Sequence, residues 1–218
     1  MVFHERFTDH GPSVDRVQTI TRSDWATVDT EDVSRCRHQS ELLSLISHPW
    51  PHIRAAVAAH PQIPLLLLHR LKVDGAPTVR AAVAANPQTA ASMLWQLASD
   101  AAVSVRLAVA RNPQAPPCAL AVLSHDADRG VANMVARHRA TPLEVLTALS
   151  RHPEPDVRAS VAGNPAASEA VLRSLAGDPS ADVAMTVCLR QGLPEAVRAL
   201  FTNTDPDLQA AMQPSLSV

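Results

Sequence analysis

Apolar residues recur along this chain with a period of 26 residues, without a gap, from residue 53 onward. Counted from each unit start, position 5 is always valine, position 6 is alanine in five units, and position 19 is leucine in five units. A shorter segment before them, residues 41–52, fits the same register through Leu42 and Leu45. Self-similarity at a fixed period indicates a repeat protein whose neighbouring units share one core. The units start at Ile53, Val79, Val105, Val131, Val157 and Val183.

Each unit is predicted to form two short helices. Positions 1 and 5 are one helical turn apart, so their apolar side chains form an inward-facing stripe. Positions 15, 16 and 19 should do the same in the second helix. Helices of this length are not stable alone, so stacking must stabilise them.

The ends of these helices are predicted from local signals. Position 26 of the preceding unit should be the N-cap of the first helix, because it is Thr, Ser, Asp, His or Gly. An Asn-Pro pair at positions 8 and 9 should end that helix, with asparagine in a left-handed cap. The second helix should start near position 12, in four units with proline. Thr141 and Glu144 fit a capping box.

The repeated pattern VRxxVAxNPxxPxxxLxxLxxD resembles the leucine-rich repeat variant family over roughly residues 40–207. The resemblance implies an all-α fold without β-sheet. It would be a right-handed α-solenoid of about six 26-residue units, in which α-helices alternate with 3-10 helices. We therefore predict a polar, partly disordered arm over residues 1–40, a helical solenoid over residues 41–207, and a frayed tail over residues 208–218.

The cysteines argue against the cofactor that the resemblance would suggest. The founding member of that family carries an iron–sulfur cluster in a cysteine-rich N-terminal segment, and a cluster needs about four thiolates. Only Cys36 precedes the repeats in this chain, so no cofactor is predicted. The ten histidines form no HExxH motif and no Cys/His cluster, so no metal site is predicted either. His60 and His138 stand where other units have asparagine and should cap helices.

The remaining cysteines and the hydropathy pattern bear on location. Cys36, Cys118 and Cys188 are odd in number and far apart, which favours a reducing compartment over a disulfide framework. The sequence shows no leader pattern and no apolar run of 18 residues. We expect a cytoplasmic protein with no membrane partner.

Charge adds one candidate binding feature. The net charge is only −2, but position 2 is arginine in four units and alanine at Ala132. A cation at the second residue of a helix opposes the helix dipole, which suggests a partner for it. The partner is either internal or external. The internal candidates are the acids of position 22, Asp74, Asp100, Asp126 and Asp178, and the N-cap acids Asp156 and Asp182. An external partner would be a phosphate or an acidic ligand.

Trp95 occupies position 17, where the residue type is mixed, so it should be exposed and could anchor an interface.

No glycine-rich phosphate loop and no GxSxG motif is present, and aspartates spaced by about 10 Å cannot share a proton. We therefore expect a non-enzymatic scaffold for a macromolecular partner, first a protein, with a nucleic acid as the alternative. The candidate partner-binding residues are Arg54, Arg80, Arg106, Arg111, Arg137, Arg158 and Trp95.

Overall fold

The computed structural model describes Trp25 and residues 27–201, and the regular elements in that part of the chain are helices. The first helices of the units are α1 (Thr30–Arg35), α3 (Pro51–Ala59), α5 (Pro77–Ala85), α7 (Val103–Arg111), α9 (Arg129–Arg137), α11 (Pro155–Gly163) and α13 (Ala181–Cys188). The second helices are α2 (Gln39–Leu45), α4 (Leu65–Leu71), α6 (Ala91–Leu97), α8 (Pro117–Leu123), α10 (Leu143–Leu149), α12 (Glu169–Ala176) and α14 (Glu195–Phe201). The six predicted two-helix units are confirmed, and one further helix pair precedes them.

That additional pair corrects the predicted N-terminal boundary. Helix α1 and the start of α2 fall inside the arm predicted over residues 1–40, and Val28, Val33 and Cys36 are buried there. The solenoid therefore includes residues 27–40. Residues 1–24 and 26, like the predicted tail over residues 208–218, lie outside the described residues.

The core is one thin apolar layer shared along the stack. Positions 1, 5 and 6 of the first helices and positions 16 and 19 of the second helices supply it, as Val105, Val109, Leu120 and Leu123 show with no exposed surface. First helices contact the first helices of both neighbouring units, whereas most successive second helices touch far less. The first helices therefore form the more closely packed layer, and their positions 3, 4 and 7 form what we call the first-helix face. None of the described helices is long and apolar enough to cross a membrane.

The first helices begin two residues earlier than the sequence predicted. The N-cap residue is at position 24, so the predicted caps at position 26 lie inside the helix. Position 22 explains this start: Asp74 Oδ1 accepts a hydrogen bond from the Ala76 N–H at 2.9 Å, which turns the chain into the helix early. Position 2 is therefore the fourth helical residue, where the dipole argument against a cation loses force.

The other helix ends also differ from the predictions. Asn86 closes α5 with an extended backbone (φ −67°, ψ 127°) because a proline follows it, so the left-handed cap was wrong. Thr141 Oγ1 donates to the Val135 carbonyl at 2.6 Å, so the predicted capping box does not form. The second helices start at position 13, one residue after the predicted proline. They are α-helical, with 3-10-type bonds at their ends, as from the Leu67 N–H to the Pro64 carbonyl and from the Asp74 N–H to the Leu71 carbonyl.

Candidate partner-binding surface

Four of the candidate arginines are engaged inside the chain. Each forms a two-pronged ion pair with the aspartate at position 22 of its own unit, as Arg106 Nε and Nη2 do with Asp126 at 2.6 and 2.9 Å. The arginine side chains are 13–17% exposed and the aspartates 4–10%. We call this set the arginine–aspartate ladder: Arg54–Asp74, Arg80–Asp100, Arg106–Asp126 and Arg158–Asp178.

Each ladder arginine also binds the loop of the preceding unit. Arg106 Nη1 donates to the carbonyl oxygens of Asp100 at 2.9 Å and Ala101 at 3.1 Å. One guanidinium therefore joins a first helix to two successive loops, with four of its five N–H groups engaged. Such a group has little capacity left for a phosphate, so the internal interpretation of position 2 matches the observed contacts. The four ladder arginines do not form an open stripe with Arg111 and Arg137.

The ladder shifts the ionisation of its members in the direction that the contacts dictate. The hydrogen bond from Arg106 holds the pKa of Asp126 below its ordinary value, although burial opposes this, and the Asp128 N–H adds to the lowering. The same bond raises the pKa of Arg106. Both groups therefore stay charged at neutral pH.

Positions 2 and 22 change together across the units. Where position 2 lacks arginine, position 22 is not aspartate: Val28 and Ala132 occur with His48 and His152, and Ala184 occurs with Thr204. His152 Nδ1 accepts the Glu154 N–H at 3.1 Å, which is the loop bond that aspartate makes elsewhere. This joint change within one chain was the signal that could have identified the ion pairs from the sequence.

A second ladder, made of the side chains at position 8, was not predicted. Asn112 Nδ2 donates to the carbonyls of Ala84 at 2.7 Å and Asn86 at 3.0 Å, so it satisfies the end of the preceding first helix. Its Oδ1 accepts the Gln114 N–H at 2.8 Å. The histidine at this position in unit four reproduces two of these three bonds: His138 Nδ1 accepts the Ala140 N–H, and Nε2 bonds the Asn112 carbonyl. The predicted capping role of His60 and His138 is therefore seen in a more specific form, within the position 8 ladder.

Arg111 and Arg137 differ from the ladder arginines. Both are exposed at position 7, on the first-helix face, and Arg139 follows two residues later on the adjoining loop. Within residues 27–201, none of these three forms an ion pair. They are the candidate cations that remain available to a ligand.

Trp95 lies on the opposite, second-helix side of the solenoid and is 51% exposed, which agrees with its predicted exposure. Leu65 and Leu66, on the adjacent helix α4, are 55% and 71% exposed. We call these three residues the second-helix patch. Helices α4 and α6 contain no acidic residue, whereas α10, α12 and α14 each carry a glutamate in the first turn.

The cysteines are too far apart to act together. Cys36, Cys118 and Cys188 lie in three different units and are not joined by disulfides. Burial, followed by the nearby Glu41 carboxylate, raises the pKa of the Cys36 thiol to about 11, which disfavours the thiolate that a cluster or a nucleophile requires. No group of three or more His, Cys, Asp or Glu side chains in the described part of the chain could hold a metal ion.

These features define a class of protein, the helical repeat solenoid made of stacked two-helix units. Two of its units, residues 104–128 and 155–180, match the model of the leucine-rich repeat variant family, and the resemblance seen in the repeat pattern is thus confirmed. The chain is also similar to a solved structure described as a leucine-rich repeat variant with a novel repetitive protein structural motif. The two share 27% sequence identity over 87% of this chain and 78% of that chain, with a TM-score of 0.66. No match was found among curated proteins.

Proposed function

We propose that this protein is a non-enzymatic binding scaffold whose partner is a protein. The observation that carries the proposal is the second-helix patch. Single exposed leucines are ordinary, but Leu65, Leu66 and Trp95 are three large apolar side chains on two adjacent seven-residue helices. An exposed tryptophan on a helix without acidic residues, next to a unit whose second helix exposes leucines and also has no acidic residue, is typical of a protein interface.

The scaffold itself suits this role. The arginine–aspartate ladder and the position 8 ladder fix successive units relative to one another, so surface side chains are held in a repeating arrangement at little cost in ordering on binding. Nucleic-acid binding through a stripe at position 2 is the weaker candidate, because those guanidinium groups are already engaged. We further propose that the protein acts in a bacterial cytoplasm, where its three cysteines, which form no disulfide, would stay reduced.

The test compares capture of partners by three purified forms. Wild type, Leu66→Asp/Trp95→Asp and Val73→Asp are immobilised and exposed to nuclease-treated extract of the source cells. Val73 is 74% exposed but lies on a loop outside the patch, so it is the matched control. We expect a protein that binds wild type and Val73→Asp and is lost from the double variant, with unchanged circular dichroism in all three. Equal capture by all three forms, or capture abolished by the nuclease, would contradict the proposal.

A further inference from the structure

Acidic residues are segregated within the repeating unit. Between residues 53 and 201, no aspartate or glutamate occupies positions 3 to 12, which comprise the first-helix face and the loop that follows it. Every acid in this range lies at position 13 or 14, or at positions 22 to 26, on the second helix or on the opposite edge. The first-helix face therefore has no negative side chain across six units.

The free cations lie on this acid-free surface. Arg111 and Arg137 end adjacent first helices, α7 and α9, and the bond from His138 to the Asn112 carbonyl at 3.0 Å holds the two helix ends together. Two exposed arginines elsewhere, Arg129 and Arg173, are 62% and 55% exposed and have carboxylate partners within 3.7 Å, whereas exposed Arg70 and Arg151, outside this face, have none among the described residues. Charges of one sign without internal partners favour an external ligand of the opposite sign.

A depression of about 390 Å³ lies beside these cations. Arg137, Ala159, Ser160, Gly163, Asn164 and Thr186 line it. Most of its polar groups are already satisfied: Ser160 bonds Asn133, Thr186 donates to the Asp182 carbonyl, and Asn164 belongs to the position 8 ladder. The Arg137 guanidinium forms no bond within the described part of the chain, so it remains the donor for a ligand. A Cβ added at Gly163 would meet no atom within 4 Å, so the depression is open to a side chain.

We propose that the first-helix face of units three to five binds an acidic, extended segment of a partner protein. Arg111, Arg137 and Arg139 pair with its carboxylates, and the depression over Gly163 receives one of its side chains. Small residues such as Ala108, Ala159 and Gly163 let the peptide backbone come close to the helices.

The number and placement of the cations favour a peptide over a nucleic acid. The position equivalent to Arg137 is alanine in units one and two, glycine in unit five and leucine in unit six. A nucleic-acid strand presents a phosphate about every 3.4 Å and would leave most of its charges without a partner here. This site is separate from the second-helix patch, although both proposals assume a protein partner.

The test measures the fluorescence anisotropy of a labelled peptide of about ten residues that alternates glutamate and glycine. We expect binding that weakens as salt is raised, and none by the glutamine–glycine peptide of the same length. Changing Arg111 and Arg137 together to glutamine should raise Kd by about fivefold or more, whereas Arg129→Gln/Arg173→Gln should change it less than about twofold.

Glycine positions supply a second, sterically clean test. Gly163→Glu places a carboxylate beside Arg137 and should also raise Kd by about fivefold or more. Gly75→Glu is the matched control on the opposite edge, because it too has no atom within 4 Å of an added Cβ. Leu66→Asp/Trp95→Asp should bind the acidic peptide as wild type does, which separates this site from the proposed partner surface.

Three results would overturn the inference. The first is equal affinity for the acidic and neutral peptides. The second is a Kd unchanged within about twofold by both the double arginine variant and Gly163→Glu. The third is tighter binding of a thymidine oligonucleotide of equal length with the same arginine dependence, which would assign the surface to nucleic acid.

Discussion

Units three and four of this solenoid differ in how two loops are joined, namely the loop before the unit's first helix and the loop after its second helix. In unit three, the half-buried Arg106 joins the loop at Asp100 to the loop at Asp126. In unit four the corresponding residue is the fully buried Ala132, and the loops are bridged at the surface instead, where Arg129 lies 3.7 Å from the carboxylates of Glu154 and Asp156. An exposed ion pair contributes about 0–1 kcal/mol, less than a shielded bidentate pair with extra hydrogen bonds.

The difference shows which part of the ladder the fold requires. The bond from position 22 to the backbone of position 24 is kept in both units, by Asp126 in one and by His152 in the other. We call the arginine–aspartate pair of positions 2 and 22 within one unit the clamp. The fold can do without the clamp when both of its residues are replaced together. Unit four is thus the least clamped of units one to five, and it carries Arg137 and Arg139, two of the three free cations of the proposed peptide site.

The largest expected effect comes from breaking the clamp on one side only. Arg106→Ala leaves the Asp126 carboxylate, 4% exposed, without its cation. Removing one member of a buried pair costs roughly 3–5 kcal/mol, and since Arg106 is 17% exposed water can partly replace it, so we expect a loss of about 2–3 kcal/mol. Urea unfolding followed by circular dichroism measures the change.

Unit four supplies the control for that prediction. Arg106→Ala combined with Asp126→His reproduces the pair Ala132/His152, and the new histidine can accept the Asp128 N–H as aspartate does. The double variant should recover at least about half of the lost free energy of unfolding. A double variant less stable than Arg106→Ala would show that the two units are not interchangeable.

The position 8 ladder gives the next largest effect. Asn112→Ala leaves two carbonyls and the Gln114 N–H without their partner, which should lower the free energy of unfolding by about 2 kcal/mol. His138→Asn exchanges the unit four version for the common one and should cost less than about 1 kcal/mol. Equal losses in the two variants would mean that position 8 tolerates no exchange between units.

The sequence predicted the parts of this fold that depend on local pattern. The 26-residue period located every two-helix unit from α3 onward, and the mixed residue types at position 17 indicated that Trp95 is exposed. The starts of the first helices were wrong by two residues because the turn bond of Asp74 and its equivalents was not considered, although its chemistry is local.

The candidate site was harder to predict for a physical reason. The bonds of Asn112 reach carbonyls 26 and 28 residues away, and a backbone carbonyl leaves no trace in residue type. The clamp was visible in principle, since Ala132 and His152 depart from the pattern in the same unit. Whether Arg111 and Arg137 can bind a partner depends on the absence of a carboxylate close to either guanidinium, and only the folded structure shows which side chains come close.

Acid should weaken the clamped units more than a unit without the clamp. Because the pKa of Asp126 is lowered in the fold, its contribution is fully present above the ordinary value near 3.8 and is lost as the pH falls through the lower folded-state value. The neutral pair Arg106→Gln/Asp126→Asn should therefore lose less stability than wild type between pH 5 and pH 3. The other three ladder aspartates, whose pKa values are also lowered, remain in it, so a smaller but clear loss should persist.

The smallest expected effect concerns glycine at position 7 of unit five, where units one and two have Ala59 and Ala85. Gly163 ends α11 and an added methyl group would meet nothing within 4 Å, so Gly163→Ala should raise the free energy of unfolding by about 0.5 kcal/mol. Gly192→Ala is the contrasting control: its φ of 70° disfavours a side chain, so the same change should cost about 1 kcal/mol. Stabilisation by both variants would contradict the backbone conformation at Gly192. Destabilisation by Gly163→Ala would mean that the depression beside Arg137 is more tightly packed than it is here.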